Sequence, residues 1–305
     1  MLTRLKSKIK TLARTILVTE NWIVAPFKYF FLKKDVRIRF RNGYELLIRQ
    51  GEWARFNSFS SFFRHFPQGK IDGTVATLVY QSRRILFDFD NRAPGVISEF
   101  FGKNFPYKVH FDVSRIRNRV VVDIGAYLGD STVWFAVHGA KKVYAFEPLT
   151  SYYDLCKRNI ELNDLVSICE VKQAAVGGDA GKDFFEIESS RQALALGKGI
   201  RDEYKKNVPV FTLKDIVRMY AIKSGAFLKI DCEGYEYDII LETDNEILKL
   251  FDFVMMEYHY GYERLKNKLE EAGFLMQYTK PEYGYQASGG KGYQEMSIGY
   301  IFAKR

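Results

Sequence analysis

From Val120 onward, short apolar runs alternate with stretches whose apolar residues recur every three or four positions. The apolar runs predict strands, and the helical periodicity between them predicts crossover helices, so the pattern indicates an α/β fold with a doubly wound, mostly parallel sheet. We expect Thr212 to cap a further helix and the last two strands to form an antiparallel hairpin at the sheet edge. The predicted strands cover residues 120–124, 142–146, 166–171, 208–211, 227–231, 251–258, 274–279 and 297–303, and the predicted helices cover 131–138, 151–163 and 262–272.

The N-terminal third of the chain has a different pattern. Residues 36–50 alternate between apolar and polar positions around Asn42-Gly43, which predicts a β-hairpin. Residues 51–117 are aromatic and irregular, and a polar, arginine-rich run precedes the first core strand. The predicted organisation has an N-terminal α+β extension, residues 1–118, and a main domain, residues 119–305. Within the extension we distinguish an arm, residues 1–34, from a hairpin with an aromatic cover, residues 35–118.

The net charge of +9 belongs to the beginning of the chain. Residues 1–41 contain eleven Lys or Arg and two acids, which gives 11 − 2 = +9, and the remaining basic and acidic residues cancel. A charge-neutral main domain argues against a nucleic-acid groove there. We therefore do not expect nucleic acid as a partner.

The arm is amphipathic and basic, because its stripe of apolar side chains is surrounded by Lys and Arg. One interpretation is a helix packed on its own domain or on a second copy of the chain. The other is a helix that lies on an anionic membrane surface, with Trp22, Phe27, Phe30 and Phe31 in contact with lipid. No run reaches the roughly 20 apolar residues that span a bilayer. The stripe consists of Leu2, Leu5, Ile9, Leu12 and Ile16.

Three scattered cysteines and four dispersed histidines show no metal-ligand spacing, so no metal site is predicted. An odd number of cysteines is typical of a reducing compartment. No convincing secretion signal is present either. We expect a cytoplasmic protein that the arm brings to the inner membrane surface.

The strongest chemical signal is a turn between two predicted strands. Gly125, Ala126, Tyr127 and Gly129 follow the first core strand, which ends at Asp123, and the second strand ends at Glu147-Pro148. A glycine-containing turn followed by a carboxylate at the next strand tip indicates a nucleoside site, because the carboxylate can accept hydrogen bonds from both ribose hydroxyls. We expect all seven residues to contact the ligand.

A dinucleotide is excluded by the turn itself. Positions three and six of the dinucleotide fingerprint hold Tyr127 and Asp130 instead of glycine. Asp130 would place negative charge at the helix N-terminus, where a pyrophosphate should bind. S-adenosylmethionine has no phosphate and carries a cationic sulfonium, so it is the predicted cofactor.

Carboxylates end four predicted strands, at Asp123, Glu147, Asp231 and Glu257. Ligands of open α/β sheets bind beyond these strand ends. Asp231 is expected to face the cofactor, and Asp231 and Glu233 are candidate catalytic groups facing the sulfonium or the acceptor.

Two further residues follow the predicted strand ends. Glu236 is predicted to close a capping box with Glu233. His259 is a candidate general base that Glu257 would orient, although a histidine in this position is more often structural.

Together these segments resemble the FkbM family of S-adenosylmethionine-dependent methyltransferases over about half the chain. The family commonly has Asn where this chain has Tyr127. The resemblance implies a seven-stranded Rossmann-like methyltransferase sheet and O-methylation of a hydroxyl on a sugar, glycolipid or natural product. A non-catalytic partner-binding module and a nucleic-acid methyltransferase remain as alternatives. The matching segments are Asp123–Gly129, Val143–Pro148, Asn159–Asn163, Ala174–Gly177 and Lys229–Gly234, with Glu236, Glu257 and His259.

Overall fold

The chain divides into two units, Met1–Phe105 and Pro106–Arg305, in a computed structural model. The structure describes residues 16–90, 94–102, 112–179, 184–187, 205–283 and 297–305. Most of the predicted stripe of the arm, from Leu2 to Leu12, lies outside the described residues.

The first unit contains the predicted hairpin, whose strands pair from Val36 with Ile48 to Arg39 with Glu45. Its core is aromatic, because α2 buries four phenylalanine rings along one side. In chain order the elements are α1 (Val24–Phe30), β1 (Val36–Arg39), β2 (Glu45–Ile48), α2 (Trp53–His65), β3 (Lys70–Asp72), β4 (Val75–Tyr80), β5 (Arg83–Asp88) and α3 (Ile97–Phe101).

The second unit contains the predicted sheet. Its elements are β6 (Val120–Ile124), α4 (Asp130–Val137), β7 (Lys142–Phe146), α5 (Thr150–Leu162), β8 (Cys169–Lys172), β9 (Ala175–Val176), β10 (Phe184–Ile187), β11 (Lys205–Val208), β12 (Val210–Phe211), α6 (Leu213–Met219), β13 (Ala226–Ile230), α7 (Glu236–Glu242), α8 (Asn245–Leu248), β14 (Phe251–Tyr258), α9 (Glu263–Glu271), β15 (Leu275–Tyr278), β16 (Glu282–Tyr283) and β17 (Ser297–Lys304).

Seven strands of this unit form one sheet in the order β15-β17-β14-β13-β6-β7-β8, and β16 pairs with β17. The five strands from β14 to β8 are parallel, whereas β17 is antiparallel to both β14 and β15. The predicted antiparallel edge is therefore confirmed. Across the sheet, β6, β7 and β8 follow one another toward one edge, whereas β13 and β14 follow one another toward the other edge. Right-handed crossovers therefore place the helices of these two halves on opposite faces of the sheet. The order reverses between β6 and β13, where open sheets bind ligands.

The sequence predicts the strands well because the central strands are buried on both faces. All five residues of β13 are buried, including Lys229. Thr212 closes the helix cap as predicted, since its side chain accepts from the Asp215 backbone and the Asp215 side chain accepts in return.

The arginine-rich run before β6 belongs to the second unit, whereas the sequence assigned it to the extension. The Arg115 guanidinium lies 5.2 Å from the centre of the Phe253 ring, and Arg119 bonds to Asp252 at 2.7 Å. These cation–π and ionic contacts hold the run against β14. No helix in the described part of the chain is long and apolar enough to cross a bilayer.

Candidate active site

The turn after β6 requires glycine at both ends. Gly125 has φ 75° and Gly129 has φ 87°, a region that L side chains rarely adopt. A Cβ on Gly125 would lie 1.8 Å from the carbonyl oxygen of Asp231, and a Cβ on Gly129 would lie 2.9 Å from Cys156 Sγ. The turn is therefore packed against the end of β13 on one side and against α5 on the other.

The backbone of the same turn is tied to β7. The Gly125 and Ala126 N–H groups donate to the Phe146 carbonyl at 3.0 and 3.1 Å. Tyr127 has φ 50°, and its ring centre lies 4.4 Å from that of Tyr152. A non-glycine residue in the left-handed region costs about 1 kcal/mol or more, so the surrounding structure holds Tyr127 in this conformation.

Glu147 joins the first turn to the second. Its Oε2 accepts the Tyr127 N–H at 2.8 Å, and its Oε1 accepts the Leu149 N–H at 3.0 Å. The carboxyl is buried, and burial raises its pKa to about 7 although both hydrogen bonds oppose the shift. Each oxygen retains a lone pair, because an ionised carboxyl has about four acceptor sites. Pro148 follows it, half-buried.

Asp123 is fully buried rather than open to a ligand. Its Oδ2 accepts from the hydroxyls of Ser131 and Thr132, both at 2.7 Å. Through these bonds Asp123 holds the start of α4 against the end of β6, and its direct contact with the cofactor stays a prediction.

Lys229 is a residue of the candidate site that the sequence predictions did not include. Its Nζ lies 3.2 Å from Asp123 Oδ1 and donates to the Gly125 carbonyl at 2.7 Å. Burial would lower the Lys229 pKa, but the carboxylates of Asp123, Asp231 and Asp130 outweigh it and raise the pKa. A lysine inside a continuous apolar strand was the available signal, because a lysine is almost never fully buried unless it is paired.

Asp130 adds a further acid beside this pair. Burial raises the pKa of Asp130 to about 7. The charge of Lys229 lowers this pKa, and the charge of Asp123 raises it. Six carboxylates lie at or just after the ends of β6, β7 and β13, and the cations Lys229 and His259 contact some of them. These carboxylates belong to Asp123, Asp130, Glu147, Asp231, Glu233 and Glu236.

The turn after β13 holds two of the predicted catalytic acids. The Asp231 N–H donates to the Ile124 carbonyl at 3.0 Å, so the half-buried Asp231 stays beside the first turn. Glu233 has φ 57° and a half-exposed side chain. Partial burial raises the Glu233 pKa, and His259 lowers it. This strained residue therefore presents a carboxylate to solvent at the strand end.

His259 is buried between two carboxylates. Its Nδ1 lies 3.0 Å from Glu236 Oε1 and its Nε2 lies 3.5 Å from Glu233 Oε2. Burial lowers the His259 pKa, but the hydrogen bond with Glu236 and the charges of Glu236, Asp231 and Glu233 raise it to about 10. Both ring nitrogens face carboxylates, so this geometry favours a protonated His259 over the general base that the sequence predicts.

The partner of His259 is also not the predicted one. Glu236, rather than Glu257, accepts from the His259 backbone N–H at 2.8 Å and contacts the ring. The predicted capping box with Glu233 is absent from α7, where Glu236 instead accepts the Gly234 N–H at 2.8 Å. Glu236 therefore joins the turn after β13 to the end of β14.

The structure thus brings the predicted residues of three strand ends together, and Glu257 is half-buried on the fourth strand. Within the described ranges, no group of three or more His, Cys, Asp or Glu side chains is arranged to hold a metal ion.

The chain is similar to two curated methyltransferases in sequence. Methyltransferase 1 of Beauveria bassiana (strain ARSEF 2860) is 24% identical over 220 residues, which cover 64% of this chain and 88% of that protein. Methyltransferase sdnD of Sordaria araneosa is 26% identical over 179 residues, 48% of this chain and 69% of that protein. The solved structure of a SAM-dependent methyltransferase from Agrobacterium tumefaciens is 12% identical to this chain, with a TM-score of 0.43. The superposition covers 77% of this chain and 72% of that protein's chain.

Residues 123–287 match the methyltransferase FkbM domain, which is more than half of the chain and includes Glu147, Asp231 and His259. The match begins at Asp123, the residue that orients the first turn. The chain belongs to the FkbM family of methyltransferases.

Proposed function

We propose that the protein transfers the methyl group of S-adenosylmethionine to a hydroxyl of a small molecule or glycan. The observation that carries this proposal is the group of acidic side chains after β6, β7 and β13, where Glu147 keeps acceptor sites and Asp231 and Glu233 are not fully buried. An acidic site favours a cationic ligand and opposes a phosphate, because like charges in a partly buried site repel strongly. The donor and acceptor groups present therefore fit a sulfonium nucleoside better than a dinucleotide.

The residues that would hold the cofactor are those that form the two turns. The remaining lone pairs of Glu147 suit the two ribose hydroxyls, and burial raises the pKa of this carboxyl against the two backbone hydrogen bonds that it accepts. Tyr127 and Pro148 flank that carboxylate, and the half-buried Asp231 supplies negative charge for the cationic part. When bound, S-adenosylmethionine supplies an electrophilic methyl group.

The chain's own contribution to the chemistry is to orient the acceptor and receive its proton. Glu233 is the candidate base because its carboxylate is half-exposed at the strand end and partial burial raises its pKa. His259, fixed by Glu236, faces Glu233 and acts as a positioning residue. Orientation alone can supply much of the rate enhancement of a methyl transfer, because the acceptor and the methyl donor are then held together in the reactive geometry instead of meeting by diffusion.

Calorimetry with the full chain tests the cofactor assignment. We expect S-adenosylmethionine to bind with a free energy of about −8 kcal/mol. Glu147→Ala should weaken that binding at least about tenfold, because the ribose then loses its acceptor. A matched control is Glu170→Ala, which removes a strand carboxylate that bonds Tyr220 instead. Binding of a nicotinamide dinucleotide but not of S-adenosylmethionine would overturn the proposal.

Release of S-adenosylhomocysteine across a panel of sugars, lipid-linked glycans, polyols and transfer RNA tests the acceptor class. Turnover with a hydroxylated small molecule or glycan is the expected result. Turnover with RNA alone would instead support the nucleic-acid alternative. Cofactor binding without turnover on any of these acceptors would support a non-catalytic module.

A further inference from the structure

The short helix α1 presents its larger apolar face outward. Ala25 and Tyr29 are buried against the first unit, where the Tyr29 ring centre lies 4.7 Å from that of Trp53. At 100° per residue these two positions lie on one side of the helix. The opposite side carries Ile23, Val24, Phe27, Phe30 and Phe31, all exposed.

These five side chains form a continuous surface, defined here as the α1 face. Their exposed fractions lie between 46% for Phe30 and 75% for Phe31, and Leu32 extends the surface at 49%. The Phe27 and Phe31 rings stack with their centres 5.3 Å apart. Single exposed apolar residues are ordinary, but a contiguous set of this size indicates an interaction site.

The charge beside the α1 face is predominantly positive, although the exposed acids Glu20 and Asp35 flank it. Lys28, Lys33 and Lys34 are exposed, and residues 21–34 contain no Asp or Glu. The preceding residues 1–15 add five Lys or Arg and no acid to the sequence. An anionic partner therefore matches this part of the molecule in charge as well as in polarity.

We infer that the α1 face docks the protein onto an anionic lipid surface. Lysine is depleted at protein–protein interfaces, whereas lysines beside exposed aromatic rings suit a bilayer interface. Their alkyl stems cover apolar surface while the ammonium groups reach the lipid phosphates. This surface belongs to the first unit alone, so the inference does not depend on the methyl-transfer chemistry.

Vesicle flotation of the full chain tests the inference. The protein should float with phosphatidylcholine vesicles that contain phosphatidylglycerol, and much less with phosphatidylcholine alone. Added salt should weaken the association, because exposed charges are screened. Phe27→Ser combined with Phe31→Ser should lower the partition coefficient about tenfold or more, and Lys28→Gln combined with Lys34→Gln should lower it on anionic vesicles only.

The chain offers a matched control for the serine variant. Leu47 and Val79 are also exposed apolar residues of the first unit, but they lie on β2 and β4. Leu47→Ser combined with Val79→Ser should float as the wild type does, and circular dichroism verifies that every variant is folded. Equal flotation of wild type and the Phe27→Ser, Phe31→Ser variant would overturn the inference. So would a wild-type dimer, seen by light scattering, that this variant abolishes without any vesicle binding, since the face would then join two copies.

Discussion

The Nζ atom of Lys229 lies 3.2 Å from Asp123 Oδ1, and the two residues are register partners on adjacent parallel strands. Both side chains are almost completely buried. The ammonium also donates to the Gly125 carbonyl, so the pair fixes the end of β6 where the turn begins. A buried pair of this kind contributes orientation more than net stability, because desolvation offsets much of the attraction.

Removal of one partner should therefore be costly. We expect Lys229→Met to lower the free energy of unfolding by about 3–5 kcal/mol, because Asp123 is left buried without its counter-charge. Denaturant titration measures the loss. The double variant Asp123→Asn, Lys229→Met should lose less than the sum of the single variants. Lys249→Met removes an exposed ion pair with Glu246 and should cost less than about 1 kcal/mol. Additive single losses would show that the two buried groups act independently.

Gly125→Ala should destabilise the protein and abolish cofactor binding. The new Cβ would approach the Asp231 carbonyl oxygen within 1.8 Å and push apart the ends of β6 and β13. Gly43→Ala is the control, because Gly43 also has a positive φ but nothing within 4 Å of an added Cβ. We expect Gly43→Ala to lower the free energy of unfolding by about 1 kcal/mol through backbone strain, and Gly125→Ala to lower it clearly more. Similar losses of unfolding free energy at the two sites would contradict this packing.

The pH dependence of stability should show the raised pKa of His259. The folded-state pKa is about 10, above the value of about 6.5 expected in the unfolded chain. The stabilisation is therefore complete below pH 6.5 and is lost as the pH rises toward 10. We expect the free energy of unfolding to fall across this window in the wild type and to fall less in His259→Gln. Proton NMR should show that the His259 ring remains charged at pH 8, and a neutral ring there would contradict the arrangement.

Glu233→Asn should separate stability from activity. Asparagine tolerates the left-handed backbone that Glu233 adopts, so we expect the free energy of unfolding to fall only by the loss of the half-exposed pair with His259, about 1 kcal/mol or less. Loss of the carboxylate should lower kcat about 100-fold while the affinity for S-adenosylmethionine stays within about twofold. Calorimetry and a methyl-transfer assay on the first acceptor identified provide the two readouts. Unchanged kcat would show that Glu233 receives no proton.

The amino-acid pattern by itself determined the order of the strands of the main sheet and of the helices α4, α5 and α9 in the second unit. Parallel strands that are buried on both faces are continuous apolar runs, and the turns between them need particular residues. Gly125, Gly129 and Glu147 were therefore visible in the sequence, as were the hairpin at Asn42-Gly43 and the Thr212 cap. Each of these features depends on local backbone geometry or on a short motif.

Only the tertiary structure decided which charges meet. Lys229 is far from Asp123 in sequence, and their contact follows from the pairing of β13 with β6. Glu236 replaced Glu257 as the partner of His259 because α7 begins beside the end of β14, which places Glu236 Oε1 3.0 Å from the ring. Alternation along one strand shows which side chains share a face, but the distance between groups on different elements is set by how those elements pack. Burial, and with it each shifted pKa, follows from the same packing.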